Sequence, residues 1–218
     1  MARDVVCISF ASGAGGEDVG RLVAEQLGFA YINEEIISRA AERAGIEPDA
    51  VAGEERRKSM FENLMDAMAS GGAATGVPPY FGDEVPSEHV RVYIREAVQE
   101  VAEHGNVVIA AHAASYAVKL GARQLRVLIT APREARAARL GIAQGLDELE
   151  AGRMVKRSDA GRVDYLKRFY GVGQELPIHY DLVINTEGLS IEEAAALVVE
   201  ATADRPSSET SAVAAQAG

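Results

Sequence analysis

The chain has 218 residues, 48% of them apolar and 25% charged, the composition of one globular domain with a full hydrophobic core. A net charge of −11 argues against nucleic-acid partners, which call for a basic face. One cysteine, four scattered histidines without metal-ligand spacing, and no apolar run near the roughly 18 to 20 residues of a membrane span exclude a disulfide framework, a Cys/His metal centre and a membrane helix.

The opening MARDVV leads into a strand without a positive-then-apolar signal segment, so the expected location is cytoplasmic. Asp4–Phe10 reads as that strand and Glu17–Leu27 as the first helix, with Val19, Leu22, Val23 and Leu27 at helical spacing. Phe29–Ile32 is a short strand, and Glu34–Ala44 and Pro48–Ala69 are expected helices. SGGAATGVPPYFGDEVPSE is dense in Gly and Pro and reads as a long loop, after which Ser87 caps a helix to about His104. Asn106–Ala111 is a buried strand, Ala113–Leu120 a helix, Leu125–Thr130 a strand, and Pro132 opens a helix to about Leu140. Asp147–Tyr170 is mostly helical with a break expected at Gly161. Leu182–Asn185 is the last strand, and Ser190 with Glu193 forms a capping box for the last helix, to Ala203. Residues 204–218 read as a disordered tail after a single domain over 1–203. Strands alternating with helices predict an α/β, three-layer fold on a parallel sheet, with ligands bound beyond the carboxyl ends of the strands.

Between the first strand and helix lies Ser12–Gly13–Ala14–Gly15–Gly16–Glu17–Asp18. Small residues there let the backbone turn tightly, and a helix start presents N–H groups to an anion along the favourable end of its dipole. A Walker A loop reads G-x-x-x-x-G-K-[ST], and here its lysine position falls on Gly16, with Glu17 and Asp18 following. A dinucleotide fingerprint from Gly13 fails at Asp18, although Glu34 stands where a ribose-binding acid belongs, so an oxidoreductase remains an alternative.

From Gly121 to Tyr170 eleven Lys and Arg face six Asp and Glu, a basic stretch in an acidic protein. Arg153 and Arg157 are four apart and share a helical face with Lys156 beside them, while Asp159 and Arg162 stand at pairing distance on one helix. Arg133, Arg136 and Arg139 form a second stripe. Each is either a solvated face or positive charge placed for phosphoryl transfer.

With these motifs in order, together with YINEEII, NVVIAAHAASYAV, RVLITAPREARAARL, KRSDAGRVDYLKRFY and HYDLVINTEGLSIEEA, the chain resembles the cytidylate kinase-like family over roughly residues 4 to 200. The resemblance implies a P-loop NTPase-type nucleoside monophosphate kinase with ATP and Mg²⁺ as cofactors. CMP or dCMP would be the acceptor, with a substrate region at about 31–86 and a lid at about 141–173. It makes Arg153, Arg157, Arg162 and Asp159 catalytic candidates and residues Ser12 to Asp18 the donor-phosphate site. Asn33 and His112 then fall in the acceptor site, and Asp18 is the Mg²⁺ candidate. Small-molecule nucleotides are the implied partners.

This chain also departs from the pattern. Where the family typically carries Ser-Arg it has Ser9-Phe10, and Glu17 stands in place of Arg or Lys. Ala111-His112 replaces Gly-Arg, and Asn33 replaces Asp. Losing several charge-assisted contacts at about 1.5 to 3 kcal/mol each leaves a second expectation open: a nucleotide-binding or regulatory module with impaired catalysis.

Overall fold

The computed structural model describes residues 3–33, 88–111, 113–119 and 121–203. The expected helices at 34–44 and 48–69, the loop after them, most of the substrate region, His112 and the tail lie outside the described residues.

The first strand, β1 (Val5–Phe10), is buried along its whole length. That is why its sequence, VVCISF, is apolar without alternation: both faces are covered. Val6, Ile8 and Phe10 join the core beneath α1 (Gly16–Leu27) and the last helix. Cys7 and Ser9 point the other way, where Ser9 Oγ donates to Ser115 Oγ at 3.0 Å. Burial pushes the Cys7 thiol up to about 12, despite a contact with Gln124. A left-handed Gly28 ends α1, donating its N–H to Ala24 and Glu25 carbonyls.

β2 (Ala30–Asn33), β3 (Val107–Ala110), β4 (Gln124–Thr130) and β5 (Leu182–Asn185) complete a five-stranded sheet in the order β2-β3-β1-β4-β5. All four pairings are parallel, with Val5 level with Val107 on one side and Gln124 on the other. In a dinucleotide-binding sheet β2 sits beside β1. Here β3 separates them, so the strand order departs from the oxidoreductase alternative.

Between β2 and β3 runs α2 (Glu88–His104). The helix expected over 113–120 is a single turn, α3 (Ala114–Ala117), because Val118 is already extended. α4 (Arg133–Gln144) runs a turn further than expected and stops at a left-handed Gly145. α5 (Glu148–Tyr170) opens with a capping box in which Asp147 accepts from the Glu150 N–H and Glu150 accepts from the Asp147 N–H. The two helices bury Ala137, Leu140, Ala151 and Val155 between them, so the second half of the chain carries its own small core. α6 (Ile191–Thr202) forms the capping box read from Ser190 and Glu193 and packs on α1 and the sheet.

The break expected at Gly161 does not occur: α5 is continuous for 23 residues. Val155, Arg162 and Leu166 are buried on either side of the glycine, and this tertiary anchoring outweighs its poor helix propensity. A Cβ at Gly161 would meet no atom within 4 Å. Gly161→Ala should therefore stabilise the protein by about 0.5 to 1 kcal/mol, read as a raised denaturant midpoint at unchanged slope. A lowered midpoint would contradict an uninterrupted helix.

Candidate functional site

β1 leaves the sheet at Phe10, and Ala11 to Gly15 turn the chain into α1. Gly13 and Gly15 both have φ of +80°, a region closed to most side chains. α1 has Gly15 at its N-cap and no side-chain cap, so its first-turn N–H groups lack intrahelical acceptors. The turn is thus an anion cradle in form.

Packing behind the loop gives a reason for the glycines beside the expected close approach of ligand to backbone. A Cβ on Gly13 would sit 2.6 Å from the Arg136 carbonyl oxygen, and one on Gly15 would overlap Ile191 Cδ1. α4 and α6 press on the loop from behind, and glycine lets them. At Gly16 a Cβ would overlap Cβ and Cγ of Phe10, the residue at the first Walker glycine position. The Phe10 side chain thus takes the room in which a side chain at position 16 would begin.

The loop carbonyls are held by donors from the other half of the chain. Arg162 Nη1 donates to the Phe10 carbonyl at 3.1 Å, and Arg136 Nη1 to the Ser12 carbonyl at 3.3 Å. Arg139 Nη1 reaches the Gly13 carbonyl at 3.5 Å, and Thr186 Oγ1 the Ala14 carbonyl at 2.9 Å. Ser12 Oγ hydrogen-bonds Ser158 Oγ on α5. These cross-links join residues more than 120 positions apart.

Two carboxylates fix the guanidinium groups. Asp159 receives Arg136 at 2.8 and 3.0 Å and Arg133 at 3.2 Å. The expected Asp159–Arg162 pair does not form, because Asp159 faces α4. Arg162, buried, instead donates to Glu175 at 2.8 and 2.5 Å. Burial alone would raise both carboxyls, but their arginine partners hold each below its ordinary value. Glu175 also accepts from Tyr180, whose hydroxyl lies 3.3 Å from that of Tyr116, and His179 Nδ1 is 3.0 Å from Tyr116. Burial and Glu175 push the Tyr180 phenol up, keeping it a donor.

Of the expected site residues, Ser12 to Asp18 and Arg162 thus gather at one place, with Asp159 behind them. Arg153 and Arg157 do not. At 100° per residue they lie across α5 from the face formed by Val155, Ser158 and Arg162, exposed, with no hydrogen bond or ion pair among the described residues. Asn33 ends β2 level with Ala110, buried. Asp18 is exposed and meets Arg21 loosely at 3.5 Å. No group of three or more metal-ligating side chains occurs among the described residues. Thr186, Glu175, Tyr180, Tyr116 and Ser158 were given no site role from the sequence; Tyr180, Thr186, Tyr116 and Ser158 lie in stretches that carry the family resemblance, and the Arg136 and Arg139 stripe gave the signal of charge.

Two outcomes follow. Gly16→Ala should cost about 1 to 3 kcal/mol from overpacking, and clearly less in a Phe10→Gly background. Equal costs by denaturant titration would mean that Phe10 does not close this space. Arg162→Ala, which leaves the half-buried Glu175 carboxylate and the Phe10 carbonyl without their donor, should cost about 3 kcal/mol at neutral pH, the low end for breaking a buried pair. In the wild type Glu175 stabilises the fold above its ordinary value of 4.5, and this is lost as pH falls through the depressed folded value. In Arg162→Ala burial is no longer offset by the guanidinium, so that acid-side loss should shrink or vanish; an unchanged acid limb would sink the assignment.

No helix among the described residues is long and apolar enough to cross a membrane. A comparison with curated proteins finds no match. Among solved structures, an uncharacterized protein from Eubacterium ventriosum is similar with a TM-score of 0.65 at 15% identity, covering 92% of this chain and 98% of that one. A shikimate kinase from Bacteroides thetaiotaomicron gives 0.48 at 17% identity, over 90% and 97%. TT1252 from Thermus thermophilus gives 0.46 at 17%, over 94% and 100%. The likeness of fold rests on the first of these. The profile of the cytidylate kinase-like family matches residues 5–188, and it agrees with the parallel sheet and the glycine turn after its central strand. The chain has a P-loop kinase-type α/β fold and belongs to the cytidylate kinase-like family.

Proposed function

We propose that the protein transfers the γ-phosphoryl group of ATP to a nucleoside monophosphate, with CMP or dCMP as the first candidate acceptor. The observation that carries this reading is the uncapped start of α1 behind two left-handed glycines, with its carbonyls held from the rear. N–H groups of Gly13, Gly15 and Gly16 would bind the donor phosphates, and the dipole of α1 adds to their field. Such catalysis is positioning and electrostatics, so no covalent intermediate on the protein is called for. An oxygen of the acceptor phosphate attacks the γ-phosphorus, ADP leaves, and a nucleoside diphosphate forms.

Mg²⁺ in such sites is typically held by one or two carboxylates plus substrate phosphates, and it neutralises charge on the transferring group. Asp18 suits that pattern as a single exposed carboxylate at the helix start, with only a loose contact to Arg21. Arg162 is committed to Glu175 and the Phe10 carbonyl, so its role in this reading is to shape the loop. Arg153 and Arg157 are uncommitted cations, and for them to reach the phosphates α5 has to turn from its present orientation. Asn33 and His112 complete the reading on the acceptor side.

A second reading, a module that binds nucleotide without turnover, is favoured by one observation: Phe10 fills the room beside Gly16, where a phosphate-binding lysine would start. A coupled assay with ATP, Mg²⁺ and a panel of monophosphates separates the two. Diphosphate formation is the result expected, and tight ATP binding without turnover on any monophosphate would favour the module. Glu17→Arg exchanges an acid for a base near a polyanion, so at low salt ATP should tighten by roughly fivefold or more, about 1 kcal/mol. Unchanged affinity by calorimetry would show that position 17 does not face the phosphates.

A further inference from the structure

A trans peptide unit is planar, and its C=O and N–H point in opposite directions. Whatever holds the carbonyl of residue 14 therefore also aims the N–H of Gly15. Thr186 does this holding. It follows β5 directly, is fully buried, and places Oγ1 2.9 Å from the Ala14 carbonyl and 3.3 Å from the Thr130 carbonyl. Arg139 Nη1 donates to the same hydroxyl at 2.9 Å, and Arg139 Nη2 donates to the Thr186 carbonyl. Since the guanidinium only donates, Thr186 Oγ1 accepts from it and its single proton is left for a carbonyl. Among the described residues the Gly15 N–H has no acceptor, while the neighbouring Ala14 N–H is closed onto the Ala11 carbonyl at 2.9 Å. By the same logic Arg136, through the Ser12 carbonyl, aims the Gly13 N–H.

We propose that Thr186, oriented by Arg139, is the positioning residue for the anion cradle: its hydroxyl holds the Ala14 carbonyl to the rear so that the Gly15 N–H faces a bound phosphate chain. The proposal rests on the reading that the loop holds nucleotide phosphates. It adds a residue beyond the loop, 172 positions from Ala14, whose side chain touches no phosphate and governs affinity through the backbone. Thr186→Val keeps the shape and removes the donor. Thr186→Ser keeps the donor and removes a methyl group.

Inorganic triphosphate, which reports phosphate contacts alone, and ATP are titrated by calorimetry into the wild type and both variants, with melting temperatures recorded alongside. Thr186→Val should weaken both ligands about tenfold, the scale of one misdirected hydrogen bond, and Thr186→Ser should restore them to within about twofold of the wild type. A purely structural threonine predicts a lowered melting temperature with wild-type affinity, and that result overturns the proposal. Loss in both variants alike overturns it too, because the methyl group would then be what matters. If Thr186→Val does not fold, Arg139→Lys retains the charge while removing the forked donation. It should weaken triphosphate to a similar degree, and unchanged affinity there overturns the proposal as well. A wild type that binds neither ligand sinks the phosphate-site reading itself, which is distinct from binding that Thr186 does not influence.

Discussion

Much of the arrangement hangs on the Arg136 guanidinium. It is buried at the first turn of α4 and satisfies three partners at once: the Ala131 carbonyl at 2.9 Å, the Ser12 carbonyl, and Asp159. One side chain thereby ties the end of β4, the glycine loop and α5 together. A planar fork with five donors can do this where an ammonium could not, because the directions are fixed before the partners arrive. Desolvating such a group is expensive unless every donor finds an acceptor in good geometry, so the junction tolerates few other arrangements. Gly13 belongs to the same constraint, since its missing side chain lets the α4 backbone come close enough for Arg136 to reach.

The electrostatics of the loop take a different form from one built around a lysine. Positive charge is abundant near it, but Arg136, Arg139 and Arg162 spend their hydrogen bonds on carbonyls and carboxylates behind the turn. Asp159 and Glu175 neutralise two of them at close range. Among the described residues, what remains on the front is the partial charge of backbone amides at the start of α1, opposed by Glu17 and Asp18 in its first turn. In the proposed reading, direct cationic contact with a polyanion gives way to oriented dipoles. Those are weaker singly but require no side chain to be ordered when the ligand arrives.

Legibility from the sequence followed locality. β4 and β5 were readable to within a residue because short stretches rich in Leu, Val and Ile are bounded by polar residues and turns. α6 was readable because Ser190 and Glu193 sit at the spacing that closes a capping box. The glycine turn was placed correctly too, but its packing was not legible, since neither Arg136, Ile191 nor Phe10 could be known to press on it. Gly161 misled because intrinsic propensity was weighed without knowing that its neighbours were buried. Asp159 misled likewise: Arg162 is three residues away, but Arg136, 23 residues away, lies closer in space. Links such as Arg162 to Glu175 or Thr186 to Ala14 obey no periodicity and leave no trace in spacing. For the same reason, the similar spacing of Arg153, Arg157 and Arg162 said nothing of their pointing in different directions.

The burial of Cys7 has a practical consequence. The chain contains one thiol, enclosed in the central strand and pushed up to about 12 by its surroundings, so at neutral pH it is neither accessible nor appreciably ionised. A maleimide dye added to the folded protein has nothing to react with. Any cysteine introduced on the exposed face of α5 becomes the single labelling position without the native one being replaced. A fluorophore there would report any rotation of this helix against the loop in an otherwise unaltered molecule, and slow labelling at position 7 would register its unfolding.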